Sequence, residues 1–338
     1  MPDLVSLGEI RAAAHRLEGV IVRTPLVPVP ALASSVGAGG VVPNLMVKPE
    51  SLQPTGAFKL RGAYNAIVAL PPVRRANGVV AHSSGNHGLA VAYAARELGV
   101  KAAIVVPRNA PSVKTAAIES AGAELVRVEP TLQARVSASA HIAQTRGYAE
   151  IPPFDHRDVI AGQGTIGLEI AEDLGAKGIH PAAVLVPVSG GGLISGIAVA
   201  VKALSPETKV IGVEPELAAD ARESLRTGTR VKWGANEVTR TNADALRVEQ
   251  IGELPFAHMR ALVSDIVTVT EDEILEAVKR LALQARLIAE PGGAVAVAAS
   301  LFRTGSELGV TKDGECPLVA VLSGGNVDPS LLGAILAA

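Results

Sequence analysis

Short apolar segments alternate with segments of helical periodicity along most of the chain, most regularly between residues 79 and 151. Residues 79–80, 102–106 and 124–128 are strand-like, and a helix-like segment follows each of them. Strands that alternate with helices form right-handed βαβ units, whose parallel strands are covered by helices on both faces. The sequence therefore predicts an α/β fold built from open parallel sheets.

The chain has 338 residues, enough for about two domains at roughly 150 residues each. The compact βα units at residues 75–152 are predicted to form a small domain inserted into a larger one, which consists of residues 1–74 and 153–338. In the larger domain a long helix is predicted at residues 271–287, and residues 221–243 are polar and irregular. This arrangement implies a large sheet assembled from both ends of the chain.

Composition excludes several classes of protein. A net charge of -2, with four Phe, three Tyr and one Trp, provides neither a basic field nor stacking side chains for nucleic acid. A single cysteine, Cys316, cannot form an internal disulfide or a cysteine-ligated metal site. No apolar stretch approaches the roughly 20 residues that span a bilayer, and no signal-peptide pattern is visible. We expect a cytoplasmic protein without nucleic-acid or membrane partners.

A run of glycines follows the apolar segment at residues 183–188. It reads Ser189-Gly190-Gly191-Gly192-Leu193 and precedes a helix-like segment. Consecutive glycines let backbone N–H groups turn toward one point, and a helix N-terminus adds partial positive charge, so this pattern predicts a phosphate site. The alternative is a tight strand-to-helix turn with no ligand.

Three other loops combine reactive or polar side chains with glycines. Lys59 follows Phe58 among small apolar residues, where desolvation would lower the pKa of its amine, as in lysines that form Schiff bases. The alternative is an ordinary solvent-facing lysine near a helix start. Residues 83–88 read Ser-Ser-Gly-Asn-His-Gly, a loop suited to a carboxylate but also to a plain helix cap. Ser323, in Ser-Gly-Gly-Asn, follows the last apolar segment and would point into the crevice at the carboxyl ends of the strands.

Residues 162–167 match the G-x-G-x-x-G pattern of dinucleotide-binding proteins. The pattern begins inside a helical segment instead of after a strand, and no acidic residue stands about 20 positions later, where a ribose ligand belongs. A chance match or helix packing explains the pattern better. A dinucleotide-binding oxidoreductase is therefore only a remote alternative.

The four loops, in this order, resemble those of the fold-type II pyridoxal-phosphate enzymes, in the group of threonine/serine dehydratases and serine racemases. The resemblance extends from about residue 17 to residue 332. It implies a fold like that of the tryptophan-synthase β-subunit, with two open parallel-sheet α/β lobes and pyridoxal phosphate (PLP) between them. It also implies a homodimer, and the mean hydropathy of +0.33 agrees with a buried subunit interface.

The resemblance assigns roles to residues of the four loops. Lys59 would hold the PLP aldehyde as a Schiff base and then remove the substrate α-proton. The implied cofactor contacts are Phe58 beside the ring, Asn86 at the ring hydroxyl, Ser323 at the pyridine nitrogen, and the backbone amides of Ser189, Gly190, Gly191, Gly192 and Leu193 at the phosphate. The substrate carboxylate would contact Ser83, Ser84, Gly85, Asn86 and His87, and Ser84 would be the acid/base of the racemase branch.

A divalent-metal loop is implied at residues 214–220. Glu214, Asp220 and the Ala218 carbonyl would form an oxygen-only ligand set, which suits Mg²⁺, Mn²⁺ or Ca²⁺. The alternative is an acidic helix start after a strand.

The implied activity is a PLP-dependent ammonia-lyase. It would eliminate the β-hydroxyl of a small amino-acid substrate, L-threonine or L-serine, and release a 2-oxo acid and ammonia. Serine or aspartate racemisation, and dehydration of hydroxyaspartate or phenylserine, are the alternatives. A β-carboxylate would need an additional cation in the pocket, and the sequence alone does not identify one.

Overall fold

In the computed structural model, residues 3–34, 44–110, 112–310 and 316–338 are described. Their strands form two sheets, one of six strands and one of four. The strands are β1 (Val27–Pro28), β2 (Leu45–Pro49), β3 (Val79–His82), β4 (Ala102–Pro107), β5 (Glu124–Val128), β6 (Ala149–Glu150), β7 (Ala183–Pro187), β8 (Lys209–Pro215), β9 (Asp265–Val269) and β10 (Leu318–Leu322).

Helices separate the strands. They are α1 (Leu7–Leu17), α2 (Pro30–Ser34), α3 (Lys59–Ala69), α4 (Pro72–Asn77), α5 (Asn86–Glu97), α6 (Ser112–Ser120), α7 (Leu132–Arg146), α8 (Arg157–Gly175), α9 (Gly192–Leu204), α10 (Asp220–Thr227), α11 (Ala235–Val238), α12 (Glu253–Leu262), α13 (Glu271–Arg280), α14 (Pro291–Phe302) and α15 (Pro329–Ala337). Short 3₁₀ turns occur at Glu50–Leu52 and Asp244–Leu246. In the described ranges, no helix is both long and apolar enough to cross a membrane.

The large sheet has the strand order β1-β2-β10-β7-β8-β9, and the small sheet has the order β5-β4-β3-β6. All pairings are parallel except that of β1, a two-residue edge strand that runs antiparallel to β2. The predicted α/β fold with two parallel-sheet lobes is therefore confirmed. The strands of the small sheet lie between residues 79 and 150, while the exact domain boundaries remain a prediction.

The last strand, β10, lies in the middle of the large sheet. Val319 pairs with Met46 of β2 on one side and with Val184 of β7 on the other. All five residues of β10 are buried, as a strand covered by helices on both faces requires. The carboxyl ends of β2, β10 and β7 consequently lie side by side, and three of the four predicted loops leave the sheet at this edge.

Two local predictions differ from the structure. The helix predicted at residues 271–287 ends at Arg280, followed by a π-turn at Leu281–Ala285 and by Arg286 with a φ of 59°. Helix α10 begins at Asp220 and occupies part of the segment predicted to be irregular. Its first turn is acidic and Gly228 ends it in a left-handed conformation, so capping compensates for its polar composition.

The glycine pattern at residues 162–167 lies inside α8, where it allows close packing of helices. A Cβ on Gly164 or Gly167 would lie within 3 Å of backbone atoms of α9, and a Cβ on Gly162 would meet the backbone of α3 at 2.6 Å. These positions are buried. The glycines thus serve helix contact, as predicted from their position in the sequence.

Candidate active site

The Lys59 loop and the Ser323 loop are joined by backbone hydrogen bonds. Phe58 N donates to Ser323 O at 3.0 Å, and Gly325 N donates to Gly56 O at 2.8 Å. The loop that leaves β2 therefore runs beside the loop that leaves β10, and it places Lys59 at the first position of α3. Residues far apart in the sequence meet here because β2 and β10 are neighbours in the sheet.

Lys59 lies partly buried between the two lobes. Its Nζ donates to Pro153 O at 2.8 Å and lies 5.0 Å from the centre of the Phe58 ring. Burial lowers the pKa of this amine to about 8, although the nearby Glu290 carboxylate acts in the opposite direction. A lysine with this pKa is neutral in a much larger fraction of molecules than an ordinary lysine, and neutral amine is the nucleophilic form.

Asn86 brings the small lobe to the same point. It begins α5, and its Nδ2 donates to Glu290 Oε1 at 2.6 Å. Its Oδ1 accepts from Asn326 Nδ2 at 2.8 Å. The amide side chain is therefore held between the loop after β10 and the start of α14.

The glycine loop connects β7 to α9. Gly191 N donates to Val188 O at 3.1 Å and closes the turn. In the described part of the chain, the amides of Gly190, Gly192 and Leu193 have no protein acceptor. Free amides at a helix N-terminus fit a phosphate group, and PLP carries one.

Phe154 links the glycine loop to Lys59. A Cβ on Gly190 would collide with the Phe154 ring, and a Cβ on Gly192 would lie 3.0 Å from the Phe154 backbone. The preceding residue, Pro153, accepts the hydrogen bond of Lys59. Residues 153–154 therefore lie between Lys59 and the candidate phosphate site.

Ser189 has a φ of 54°, in the left-handed region that glycine adopts most easily. This serine precedes three glycines whose backbone packs against Phe154, Ile251 and Pro255, so the neighbouring chain imposes the conformation. The strain at a non-glycine residue is typical of ligand-binding turns.

The predicted substrate loop follows β3 and leads into α5. Ser83 Oγ accepts from Gly85 N at 3.3 Å, and the side chains of both serines are partly buried. A Cβ on Gly88 would collide with the Ser83 carbonyl oxygen, so the turn requires glycine at this position. The loop thus presents Ser83, Ser84 and the first amides of α5 on one side of the cleft.

His87 is buried and neutral. Its Nε2 lies 2.7 Å from Ile151 O and must be the donor in that bond, so Nδ1 carries no proton. Burial lowers the pKa of His87 to about 3, and the positive charge of Lys59 lowers it further. The imidazole anchors the substrate loop to the small lobe and is not an acid at neutral pH.

This buried histidine predicts a pH dependence of stability. The pKa in the folded protein, about 3, lies below the ordinary value of 6.5, so the unfolded chain binds more protons between these pH values. His87 thus stabilises the fold fully above pH 6.5, and this contribution decreases by about 1.4 kcal/mol per pH unit as pH falls. Urea denaturation from neutral to mildly acidic pH should show a shallower pH dependence for His87→Gln than for wild type. The exposed His15→Gln is the control and should follow wild type; an unchanged slope for His87→Gln would contradict the assignment.

The predicted metal ligands lie close together at the end of β8. Glu214 is buried, and its two oxygens accept from Ala221 N at 3.3 Å and Arg222 N at 2.8 Å. Asp220 is also buried, and among the described residues its Oδ2 has no hydrogen-bond partner. Burial raises the pKa of both carboxyls, that of Asp220 to about 7, and the charge of Asp220 raises that of Glu214 further. Two buried carboxylates with an unpartnered oxygen fit a divalent cation.

The four loops make two contacts that sequence reasoning did not assign. Residues 290–294 belong to a segment that resembles the family, but the sequence assigned no role to Glu290. Asn326 stands in the Ser323 loop, but its donor role toward Asn86 depends on the spatial proximity of α5. In the sequence, the position of Asn326 beside a glycine pair is the one signal that could have indicated a place in the site.

Together, the fold and the site are those of a PLP-dependent enzyme built from two α/β lobes. The chain belongs to the family described as "Pyridoxal-phosphate dependent enzyme", whose model matches residues 17–324. The predicted family is therefore confirmed, and a dinucleotide-binding oxidoreductase is set aside.

Relatives with this family's chemistry match nearly the whole chain. L-threo-3-hydroxyaspartate ammonia-lyase of Saccharomyces cerevisiae is 37% identical over 95% of this chain and 93% of its own. L-threonine ammonia-lyase of Thermotoga maritima is 39% identical over 98% of this chain and 78% of its own. Serine racemase of Arabidopsis thaliana is 39% identical over 96% of this chain and 93% of its own.

Solved structures agree with these relatives. A threonine deaminase from T.th. superposes with a TM-score of 0.87, with 42% identity over 96% of this chain and 99% of that one. Maize serine racemase superposes with a TM-score of 0.89, with 34% identity over 99% of this chain and 98% of that one. The predicted activities, lyase and racemase, are those that the names of these proteins state.

Proposed function

We propose that this protein is a PLP-dependent ammonia-lyase that converts a β-hydroxy amino acid, L-threonine or L-serine, to a 2-oxo acid and ammonia. One observation carries the proposal. The amine of Lys59 is desolvated and lies at the meeting point of the Asn86 and Ser323 loops. The three elements come from both lobes, as a site between two lobes requires.

The residues present would hold PLP at separate points. Lys59 would bind the aldehyde carbon, Asn86 the ring hydroxyl and Ser323 the pyridine nitrogen, with Phe58 beside the ring. The amides of residues 189–193 would bind the phosphate. When bound, PLP supplies an electron sink that acidifies the α-proton of an attached amino acid.

Lys59 would move the α-proton. With a pKa of about 8, its Nζ can accept a proton near neutral pH and release it again, which is what a general base needs. His87 is buried nearby with a pKa of about 3, so its imidazole is too weak a base to compete. Ser83, Ser84 and the first amides of α5 would hold the substrate carboxylate, which the partial positive charge at the helix N-terminus favours.

A substrate panel tests the proposal. Purified protein with PLP would be assayed on L- and D-serine, L-threonine, hydroxyaspartate and phenylserine, with 2-oxo acid and enantiomer measured separately. Release of 2-oxo acid from L-threonine or L-serine supports the lyase. Conversion to the D-enantiomer without 2-oxo acid would instead support a racemase, with Ser84 as the second acid/base.

One observation favours an acidic substrate as a second candidate. Arg135, on α7, has an Nε that is buried without an acceptor among the described residues. Burial lowers the pKa of His82, and the charge of Arg135 lowers it further, so this guanidinium lies close to the residue before Ser83. Arg135 is thus a candidate for the additional cation that a β-carboxylate needs.

Replacing Arg135 distinguishes the two substrates. If hydroxyaspartate is bound through its β-carboxylate, Arg135→Met should reduce kcat/KM for hydroxyaspartate about 100-fold, because a charge-assisted hydrogen bond is lost. Activity on L-threonine should change little, since its methyl group needs no cation. Parallel losses for both substrates would argue against selective recognition by Arg135.

We further propose a divalent cation at Glu214, the Ala218 carbonyl and Asp220. A bound cation would pair with Asp220 Oδ2, which has no hydrogen-bond partner among the described residues, and would stabilise the start of α10.

Cation addition should stabilise the wild-type protein. At a concentration about 100 times the dissociation constant, Mg²⁺, Mn²⁺ or Ca²⁺ would add about 2.7 kcal/mol to the free energy of unfolding. Thermal denaturation of EDTA-treated protein measures this, and Asp220→Asn should remove the response. Asp272→Asn, an exposed carboxylate in the first turn of α13, should keep it. A wild-type melting temperature insensitive to all three cations would exclude the site.

A cytoplasmic homodimer completes the proposal. Leu52, Leu283 and Ile288 are exposed large apolar side chains, and Gly325 lies against both Ser51 and Ile288. Leu52 and Ile288 thus belong to one apolar region beside the site, of the kind that a second subunit covers. Light scattering would measure the oligomeric state.

The proposed cytoplasmic location is supported by Cys316, whose free, exposed thiol suits a reducing compartment.

A further inference from the structure

The amide of Asn86 lies between two partners of opposite hydrogen-bonding character. Its Nδ2 donates to the carboxylate of Glu290 at 2.6 Å, and its Oδ1 accepts from the amide nitrogen of Asn326 at 2.8 Å. A carboxylate only accepts, and an amide nitrogen only donates. The two partners therefore allow a single orientation of the Asn86 amide, which would otherwise be free to rotate by half a turn.

Both partners are themselves held in place. The backbone N of Glu290 donates to Gly324 O at 3.1 Å, and its side chain, 4% exposed, occupies the space that a Cβ on Gly324 would need. Asn326 Nδ2 also donates to Thr55 O at 2.8 Å, in the loop that carries Lys59. The pair thus connects the Ser323 loop, the Lys59 loop and the start of α14 to one side chain of the small lobe.

Asn86 has two N–H groups on Nδ2, and Glu290 takes one of them. We propose that Glu290, with Asn326, is a positioning residue that fixes the Asn86 amide so that its second N–H donates to the ring oxygen of PLP. This inference rests on the proposed function, in which Lys59 and Asn86 hold PLP.

The charge of Glu290 has a second consequence at Lys59. Burial lowers the pKa of the Lys59 amine, and Glu290 is the carboxylate that raises it. Among the described residues, the other titratable group that interacts with Lys59 is His87, whose imidazole is neutral. Glu290 therefore offsets part of the desolvation of the amine that would react with PLP.

The test is Glu290→Gln, which keeps the size of the side chain but removes its charge and lets it donate as well as accept. Two quantities are measured besides activity. They are the dissociation constant for PLP and the pH dependence of the rate at which protein stripped of PLP takes it up again. For Glu290→Gln, we expect the dissociation constant for PLP to rise about tenfold. We also expect the inflection point in the pH dependence of the PLP uptake rate to move down by about one pH unit.

Two further variants separate positioning from folding. Glu290→Asp keeps the charge but falls short of Asn86, so it should weaken PLP binding without moving the inflection. Glu273→Gln is the matched structural control, because Glu273 caps α13 and pairs with Arg303 away from the site. It should lower the melting temperature and change neither PLP quantity.

The outcomes are distinct. Wild-type PLP affinity together with an unmoved inflection in Glu290→Gln overturns the inference. If Glu290→Gln does not fold, wild-type PLP affinity in Glu290→Asp overturns it equally. Failure of the wild-type protein itself to bind PLP would refute the proposed function instead.

Discussion

Lys59→Ala is expected to abolish turnover and to remove the yellow absorbance of protein-bound PLP. Lys59 supplies the amine that would bind the aldehyde carbon and would also accept the α-proton, so its removal deletes two functions at once. The rate should fall by roughly 10³-fold or more. Absorbance spectroscopy after gel filtration measures the loss of bound PLP, and 2-oxo acid release measures the loss of turnover.

Lys59→Arg is the matched control for charge. A guanidinium keeps the positive charge but stays protonated and does not act as a nucleophile, so this variant should be as inactive as Lys59→Ala. Borohydride reduction of the wild-type holoenzyme, followed by peptide mass spectrometry, should place the cofactor on Lys59. A yellow Lys59→Ala protein, or a label on another lysine, would show that the assignment of Lys59 is wrong.

Arg61→Met is expected to destabilise the fold by about 3–5 kcal/mol, because it leaves the buried Glu50 carboxylate without its ion pair and removes one of the two cations beside Glu169. Arg61 donates through Nε to Glu50 at 2.7 Å and through Nη1 to Glu169 at 2.6 Å. Lys48 contributes a second cation, with its Nζ 2.6 Å from Glu169. Burial alone would lower the pKa of Arg61, but Glu50 and Glu169 raise it above its ordinary value.

This buried cluster, formed by Lys48, Glu50, Arg61 and Glu169, also bears on the active site. Arg61 lies within one turn of Lys59 on α3, Glu50 follows β2, and Glu169 lies on α8. Loss of the cluster should therefore weaken PLP binding as well as lower the free energy of unfolding in urea.

A double variant and a surface control make the test specific. Arg61→Met combined with Glu50→Gln should be less destabilised than the sum of the two single variants, because the unpaired charge is removed. The exposed pair Arg146 and Glu124 provides the control, and Arg146→Met should lower the free energy of unfolding far less than Arg61→Met does. A loss of similar size at both arginines would contradict the role assigned to burial.

The sequence contained enough information to predict the parallel-sheet class and the PLP-dependent family, and it singled out the four loops that the structure describes. Strands such as β4 and β10 are recognisable because a doubly covered strand must be apolar throughout. The glycine pattern in α8 could be interpreted as packing because it lies within helical periodicity and not after a strand. Each of these signals is local, since it depends on residue types within one turn or one strand.

Other features could not be predicted because they depend on partners remote in the sequence. The helix predicted at residues 271–287 ends early at Arg280, although its apolar periodicity continues. The following π-turn brings the chain to Glu290, where the backbone bonds to Gly324. The helix thus ends where tertiary contacts begin, and the periodicity of the segment does not reveal such contacts.

By itself, the sequence determined that this chain forms parallel α/β lobes and carries the lysine, glycine, serine and asparagine loops of a PLP-dependent enzyme, because periodicity and turn chemistry are properties of short segments. Only the tertiary structure decided that β10 lies between β2 and β7, that Glu290 and Asn326 orient Asn86, and that Arg61 neutralises Glu50 and Glu169. These pairings join segments that are remote in the sequence, and packing of the whole chain, not local preference, selects which buried polar groups become partners.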